Sequence, residues 1–179
     1  MQGRTWVESE PGQGSCFYCT AELGVAEFSL PKAALPEVSL RDKRILIVDD
    51  NLTNRRILAD MTQIWGMQAT TASSAPEALA TGRRAAQSGK PFGLISTDMH
   101  MADMDGFGFV ERIRSSLNLK GSVIVMQTSG ERMGDMARCR ELGISACLAK
   151  PIRRAELRAA IVAAIAEQRH GPRPAAAAP

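Results

Sequence analysis

Asp49 and Asp50 directly follow the apolar run Arg44–Val48, and Asp98 directly follows a second apolar run, Gly93–Thr97. If both runs are buried strands, the first carries two carboxylates at its tip and the second carries one. Thr128 and Lys150 stand at the ends of two later runs of the same kind, 122–127 and 146–149. Strand tips that converge would gather three acids, a hydroxyl and an ammonium at one place. Carboxylates at close range repel and destabilise the fully ionised state. A divalent cation removes that cost, and an all-oxygen ligand set favours Mg²⁺ or Mn²⁺ over zinc. A carboxylate beside such a cation and a lysine is suited to receive a phosphoryl group, with Thr128 and Lys150 holding its oxygens. Simpler uses of the same residues exist. Asp49 and Asp50 could cap the next helix, Asp98 could be a loop acid, Thr128 strand filler, and Lys150 a solvated side chain. Capping accounts well for only one of the three acids. Pro151 restrains Lys150 to extended backbone, and the bond between them is a candidate for the cis form.

The elements that must position these residues begin near Lys43. Strands are expected at 44–48, 68–72, 93–97, 122–127 and 146–149. The helix after the first strand runs from about Leu52 to Trp65, with Ile57, Leu58, Met61, Ile64 and Trp65 as its apolar face. The next opens at Ser74 with Pro76 in its first turn and Glu77 at capping-box spacing. A third starts near Asp105 and buries Phe107, Val110 and Ile113. A fourth, 131–142, is the weakest, because Gly134 costs about 1 kcal/mol relative to alanine. A fifth, 153–169, is periodic through Leu157, Ile161, Ala164 and Ile165. Five strands alternating with five helices predict an α/β fold with a parallel sheet covered on both faces. Right-handed crossovers make it doubly wound, in the flavodoxin-like order 2-1-3-4-5. In such a sheet, ligands bind at the carboxyl ends of the strands where the winding reverses, between the first and third strands, which is where Asp49, Asp50 and Asp98 would lie.

Ahead of this region, two short strand patterns flank the turn cluster Pro11–Gly14 and predict a β-hairpin within residues 1–20. Such a hairpin is marginal in water by itself. Residues 21–42 lack a sustained period, carry Pro31 and Pro36, and read as a linker; residues 170–179 read as a disordered tail or tether. With 179 residues the chain can hold one good core. A net charge of +3 with scattered arginines gives no nucleic-acid footprint. No apolar run is long enough to span a bilayer and no signal-peptide pattern is present, so this stretch is expected to make no membrane contact. The four cysteines have no framework spacing. Cys16 and Cys19 form a CxxC, but a strand would point them to opposite faces, and reduced thiols suit a cytoplasmic setting.

Residues 43–169 resemble the receiver domain of two-component signalling. The stretch from Arg44 to Asn51, followed by Asn54–Leu58, is similar to the receiver opening of hybrid sensor kinases. Thr97–Gly106 resembles the phosphoacceptor segment, and Ala149–Pro151 the lysine step. The resemblance implies that Asp98 accepts a phosphoryl group from phosphohistidine. It implies Mg²⁺ held by Asp49, Asp50, Asp98 and the backbone carbonyl of His100. It also implies phosphoryl oxygens held by Lys150, Thr128 and the backbone amides of Met99 and Ser129. The donor would be the phosphohistidine domain of a parent kinase or a histidine phosphotransfer protein, and phosphorylation would switch the surface of the fourth helix, fifth sheet strand and fifth helix. Residues 1–17 resemble the last hairpin of a histidine-kinase ATPase domain. The nucleotide-binding boxes and the phosphohistidine helix of such a kinase are missing, so this fragment is expected to catalyse only its own aspartyl phosphorylation and dephosphorylation.

Three positions depart from the family's pattern. Ala102 stands where proline is common, and Cys147 where an aromatic usually swings inward. His100 occupies a position from which a side chain can tune dephosphorylation. Two other functions fit part of the sequence. One is a receiver-like binding module that works without phosphorylation, although such modules usually lose an acid or the lysine and none is lost here. The other is a metal-dependent hydrolase with an aspartate nucleophile, although those enzymes place a second acid two residues after the first-strand nucleophile, where this chain has Asn51. Asp103, Asp105 and Gly106 mimic part of a calcium loop, but its first and twelfth ligand positions would be Met101 and Arg112, which cannot serve.

Overall fold

Ile45 and Ile47 alternate with Leu46 and Val48, and all four side chains are buried. A strand with two apolar faces has to be covered on both sides, and the computed structural model shows how. It describes residues 3–22, 38–116, 123–128 and 135–170. The chain divides into two units, Met1–Ala33 and Ala34–Pro179.

In the first unit, β1 (Thr5–Glu10) pairs antiparallel with β2 (Gly14–Cys19). Gly12 and Gly14 turn the chain at φ of 81° and 94°, a region most side chains avoid. Trp6 and Tyr18 face each other across the pair and stack at 5.1 Å. Every residue of both strands is exposed, Phe17 to 78%. Cys16 lies opposite Glu8 and Cys19 opposite Thr5, three residues apart and therefore on opposite faces; both are free thiols.

The second unit holds the sheet, whose strands are β3 (Arg44–Val48), β4 (Gln68–Ala72), β5 (Leu94–Asp98), β6 (Val123–Thr128) and β7 (Ala146–Ala149). All neighbours are parallel, in the order β4-β3-β5-β6-β7, which is the predicted 2-1-3-4-5. β5 and β6 each end one residue later than predicted, because Asp98 pairs with Gln127 and Thr128 with Ala149. The helices are α1 (Leu52–Ile64), α2 (Ala75–Gln87), α3 (Gly106–Ser116), α4 (Asp135–Glu141) and α5 (Arg154–His170). Residues 131–134 and 171–179, on which the predicted start of the fourth helix and most of the tail fall, lie outside the described residues. No described helix is long and apolar enough to cross a membrane.

Two cores result. Leu46, Val48 and Ile95 meet Ala78, Phe107, Val110, Ile113 and Cys139 of α2, α3 and α4 on one face. Ile45, Ile47 and Leu94 meet Leu58, Leu157, Ile161 and Ile165 of α1 and α5 on the other. The segment read as linker contributes Val38 and Leu40 to this second core. The apolar face expected of α1 is only partly buried. Leu58 is enclosed, whereas Ile57 and Ile64 are 47% and 61% exposed. Those two residues are seven apart and share a stripe rotated about 100° from that of Leu58. Thr62 takes the buried place instead, its hydroxyl donating to the carbonyls of Leu58 and Ala59.

Two helix starts are fixed by short side chains. Asp105 accepts the amide of Gly108 at 2.7 Å and so opens α3, which occupies the acid of the calcium-like stretch. Ser74 accepts the amide of Glu77 at 3.3 Å. The Glu77 carboxylate, however, reaches back one residue further than an ordinary capping box, accepting the hydroxyl and amide of Ser73, each at 2.7 Å. Those bonds, the hydroxyl first, hold the Glu77 carboxyl below its ordinary range. A carboxyl lowered on folding stabilises the protein above its unfolded pKa and loses that contribution as pH falls through the folded value. Glu77→Ala is therefore expected to lower stability by about 1 kcal/mol or less at pH 7. In urea denaturation the gap to wild type should narrow as the pH falls below about 4.

Candidate phosphoacceptor and metal site

β3 and β5 are neighbours that run in the same direction, so their carboxyl ends open onto one crevice. Asp49 and Asp50 leave β3 there and Asp98 ends β5 there. One carboxylate oxygen from each of the three lies within 4.8 Å of the others. Asp49 is fully buried, Asp98 is 4% exposed, and Asp50 is open to solvent. Neither Asp49 nor Asp50 caps α1: Asn51 does, accepting the amides of Thr53 at 2.9 Å and Asn54 at 3.2 Å. The acids are thereby free for other work.

Lys150 arrives from the tip of β7, three strands away from β3. Its backbone amide donates to the carbonyl of Thr128 at 2.8 Å, and the bond to Pro151 is cis. Its Nζ donates to Asp98 Oδ2 at 2.8 Å and to Asp49 Oδ2 at 3.2 Å. Burial pulls the Lys150 ammonium down, but the bond and charge of Asp98 and the charge of Asp49 together outweigh it, so its pKa is raised. The side chain is thus cationic throughout the neutral range. Three carboxylates face one ammonium, and with the Arg55 guanidinium on the Asp49 carbonyl counted as well the acids are still in excess. The two oxygens of Asp98 are unequal: Oδ2 holds Lys150, while Oδ1 is buried and finds no hydrogen-bond partner among the described residues. An unmet buried carboxylate oxygen is costly. The excess of acid, one carboxylate oxygen from each of three residues within reach of one another, and the all-oxygen donor set together fit a small, hard divalent cation.

The other predicted residues are placed as follows. Thr128 is buried at the end of β6, on the strand beside Asp98. Met99 is buried and His100 is exposed directly after Asp98. Ser129 lies outside the described residues. Cys147 on β7 is partly buried against the core that contains α3 and α4. Sequence reasoning assigned no site role to three residues that contact Asp49. Asn51 donates its amide to Asp49 Oδ1 at 2.8 Å. Asn54 donates its side-chain amide to Oδ2 at 3.1 Å and Oδ1 at 3.4 Å. Arg55 donates to the Asp49 carbonyl at 2.6 Å. The available signal was their position in the first turn of the helix that follows the acids.

Residues 45–162 match the family described as the response regulator receiver domain. The chain belongs to that family. The probable chemotaxis protein CheY of Rhizobium etli is 31% identical over 128 residues, covering 70% of this chain and 95% of that protein. The sensor histidine kinase AruS of Pseudomonas aeruginosa is 34% identical over 163 residues, 90% of this chain. The virulence sensor protein BvgS of Bordetella bronchiseptica is 31% identical over 196 residues, 100% of this chain. The chain spans only 16% and 15% of those two sensors. Among solved structures, the chemotaxis protein CheY4 of Vibrio cholerae superposes with a TM-score of 0.61 at 27% identity, covering 67% of this chain and 96% of that one. The protein thus contains a CheY-like receiver domain of two-component signalling, of the kind also found in hybrid kinases, whose standard role is to accept a phosphoryl group.

The receiver's acids depend on Lys150 whenever no other cation is present. Lys150→Met is expected to destabilise the domain by about 2 kcal/mol, below the usual cost of breaking a buried pair because the lysine is partly solvated. Thermal melts should show MgCl₂ raising the Tm of Lys150→Met by more than that of wild type. An equal rise in both would contradict the charge balance described here.

Proposed function

We propose that Asp98 is the phosphoacceptor and that this receiver takes its phosphoryl group from phosphohistidine. The observation that carries the reading is the asymmetry of the Asp98 carboxylate, one oxygen on Lys150 and the other buried without a partner. The unpartnered Oδ1 is the oxygen available to attack phosphorus. The new O–P bond forms as the P–N bond to the donor imidazole breaks, and the imidazole leaves with that electron pair and takes up a proton. Lys150 keeps Oδ2 neutralised and stands close enough to pass to a phosphoryl oxygen. Thr128, buried on the adjacent strand, supplies a hydroxyl for another, and the amides of Met99 and Ser129 would complete the cradle. Asp49, Asp50, Asp98 and the His100 carbonyl would hold Mg²⁺, which when bound neutralises the charge of the transferring group. Hydrolysis of the aspartyl phosphate resets the domain, with His100 exposed beside it.

The phosphorylated state would be read on α4, β7 and α5. α4 is tied to α3 through Arg138, which bonds Glu111 at 3.2 Å and lies 4.8 Å from the centre of the Phe107 ring. Exposed contacts of this kind contribute little each, and the helix is also held by the buried Cys139. The likeness to AruS and BvgS over nearly the whole chain supports a further part of the reading. The receiver is a segment of a hybrid histidine kinase, β1 and β2 are the end of its ATPase domain, and residues 21–42 link the two. Its cytoplasmic partners would be the parent's phosphohistidine domain or a histidine phosphotransfer protein.

Mass spectrometry with acetyl phosphate and MgCl₂ tests the assignment. Wild type is expected to gain one phosphoryl group, and Asp98→Asn none. A labelled Asp98→Asn variant would remove Asp98 from its role.

A further inference from the structure

Asp49 is held far more completely than its role as one of three acids requires. Its Oδ1 accepts the Asn51 backbone amide at 2.8 Å, its Oδ2 accepts Lys150 at 3.2 Å, and the Asn54 side-chain amide reaches both oxygens, at 3.1 and 3.4 Å. The same turn of α1 also fixes the main chain, since Arg55 donates to the Asp49 carbonyl at 2.6 Å. One of these partners is not permanent. Lys150 is shared between Asp49 and Asp98. Once it turns to a phosphoryl group, the Asp49 carboxylate loses its only salt bridge among the described residues, and Arg55 reaches only its main-chain carbonyl. Asp49 is fully buried, so losing a partner there is costly.

We infer that Asn54 is a positioning residue, whose amide keeps the Asp49 carboxylate oriented and partly compensated while Lys150 is exchanged between the acids and the phosphoryl group. The inference rests on the function proposed above. A neutral amide suits the task. It donates without adding a charge that would repel an incoming cation, and it cannot follow the phosphoryl group because it belongs to a helix capped in place by Asn51. Asn54 is also partly exposed and lines a cavity of about 390 Å³ with Ile57, Leu58, Lys150, Pro151 and Ile152. It therefore stands where Lys150 borders the open surface. Without the amide, Asp49 would lean on Lys150 more heavily, and a cation would have to displace a stronger competitor.

The test uses Asn54→Leu, which keeps the volume and removes the donor, and Asn54→Gln, which keeps a donor. Calorimetric titration with MgCl₂ is expected to show affinity reduced about tenfold in Asn54→Leu, the scale of one hydrogen bond to a charged group. Asn54→Gln should recover most of the loss. The acetyl-phosphate labelling rate at fixed, subsaturating Mg²⁺ should fall in parallel. Mg²⁺ affinity in Asn54→Leu within twofold of wild type overturns the inference, as does a lowered Tm with unchanged affinity, or an Asn54→Gln no better than Asn54→Leu. Absence of labelling in wild type would instead overturn the proposed function.

Discussion

A parallel sheet can concentrate charge at one edge only if something at that edge balances it. Here the balance is one lysine, Lys150, bonded to Asp98 at 2.8 Å and Asp49 at 3.2 Å. Removing two carboxylates from water is expensive, and their mutual repulsion adds to the cost. The lysine offsets part of this and leaves the rest as a standing attraction for a cation. It also ties the far strand β7 to the switch point between β3 and β5, so the acids and the outer helices belong to one mechanical unit. A buried ion pair is weak grounds for stability. Under the proposed function its value lies in being exchangeable, since the same ammonium that quiets the acids would be transferred to a phosphoryl group.

The remaining architecture serves that edge. Two-sided burial of Ile45–Val48 fixes the pitch and register of β3, and hence the position of Asp49. The parallel pairing of β3 with β5 brings Asp98 beside it without any contact between the two in sequence. The backbone bond from Lys150 to Thr128 aligns the last two tips. The first turn of α1 then closes the arrangement, with Asn51 capping the helix while Asn54 and Arg55 hold Asp49.

Much of this was legible from residue order alone, and the physical reason is periodicity. A buried parallel strand is a continuous apolar run, so β3 could be delimited as it occurs; β4 and β7, less buried, were marked by their alternation with helical segments, and the strand order followed from right-handed crossovers. What could not be read are features decided between elements. The one-residue shift of β5 and β6 toward their carboxyl ends depends on their pairing partners, Gln127 and Ala149. The exposure of Ile57 and Ile64 depends on which stripe of α1 the sheet covers, and apolar type alone does not say. The burial of Val38 and Leu40 reflects a surface that exists only once α5 and β3 have met. Asn54 belongs to the same class: a polar residue in a helix start reads as solvated until a buried carboxylate is known to lie above it.

The two buried acids differ in a way that supports the tasks proposed for them. Both carry one negative charge, both sit at strand tips, and both touch Lys150. Asp49 has donors at both oxygens; apart from the lysine, two donors on α1 or its cap, the Asn51 amide and the Asn54 side chain, make three bonds to it, and so it has little freedom to react. Asp98 shares the lysine through one oxygen and presents the other buried and unpartnered among the described residues. A nucleophile needs an unmet lone pair, whereas a ligand that positions a cation needs a fixed one. Saturation of the first acid and incompleteness of the second therefore support the proposed division between an anchoring and a reacting carboxylate. The distinction would persist if their places in the sequence were unknown.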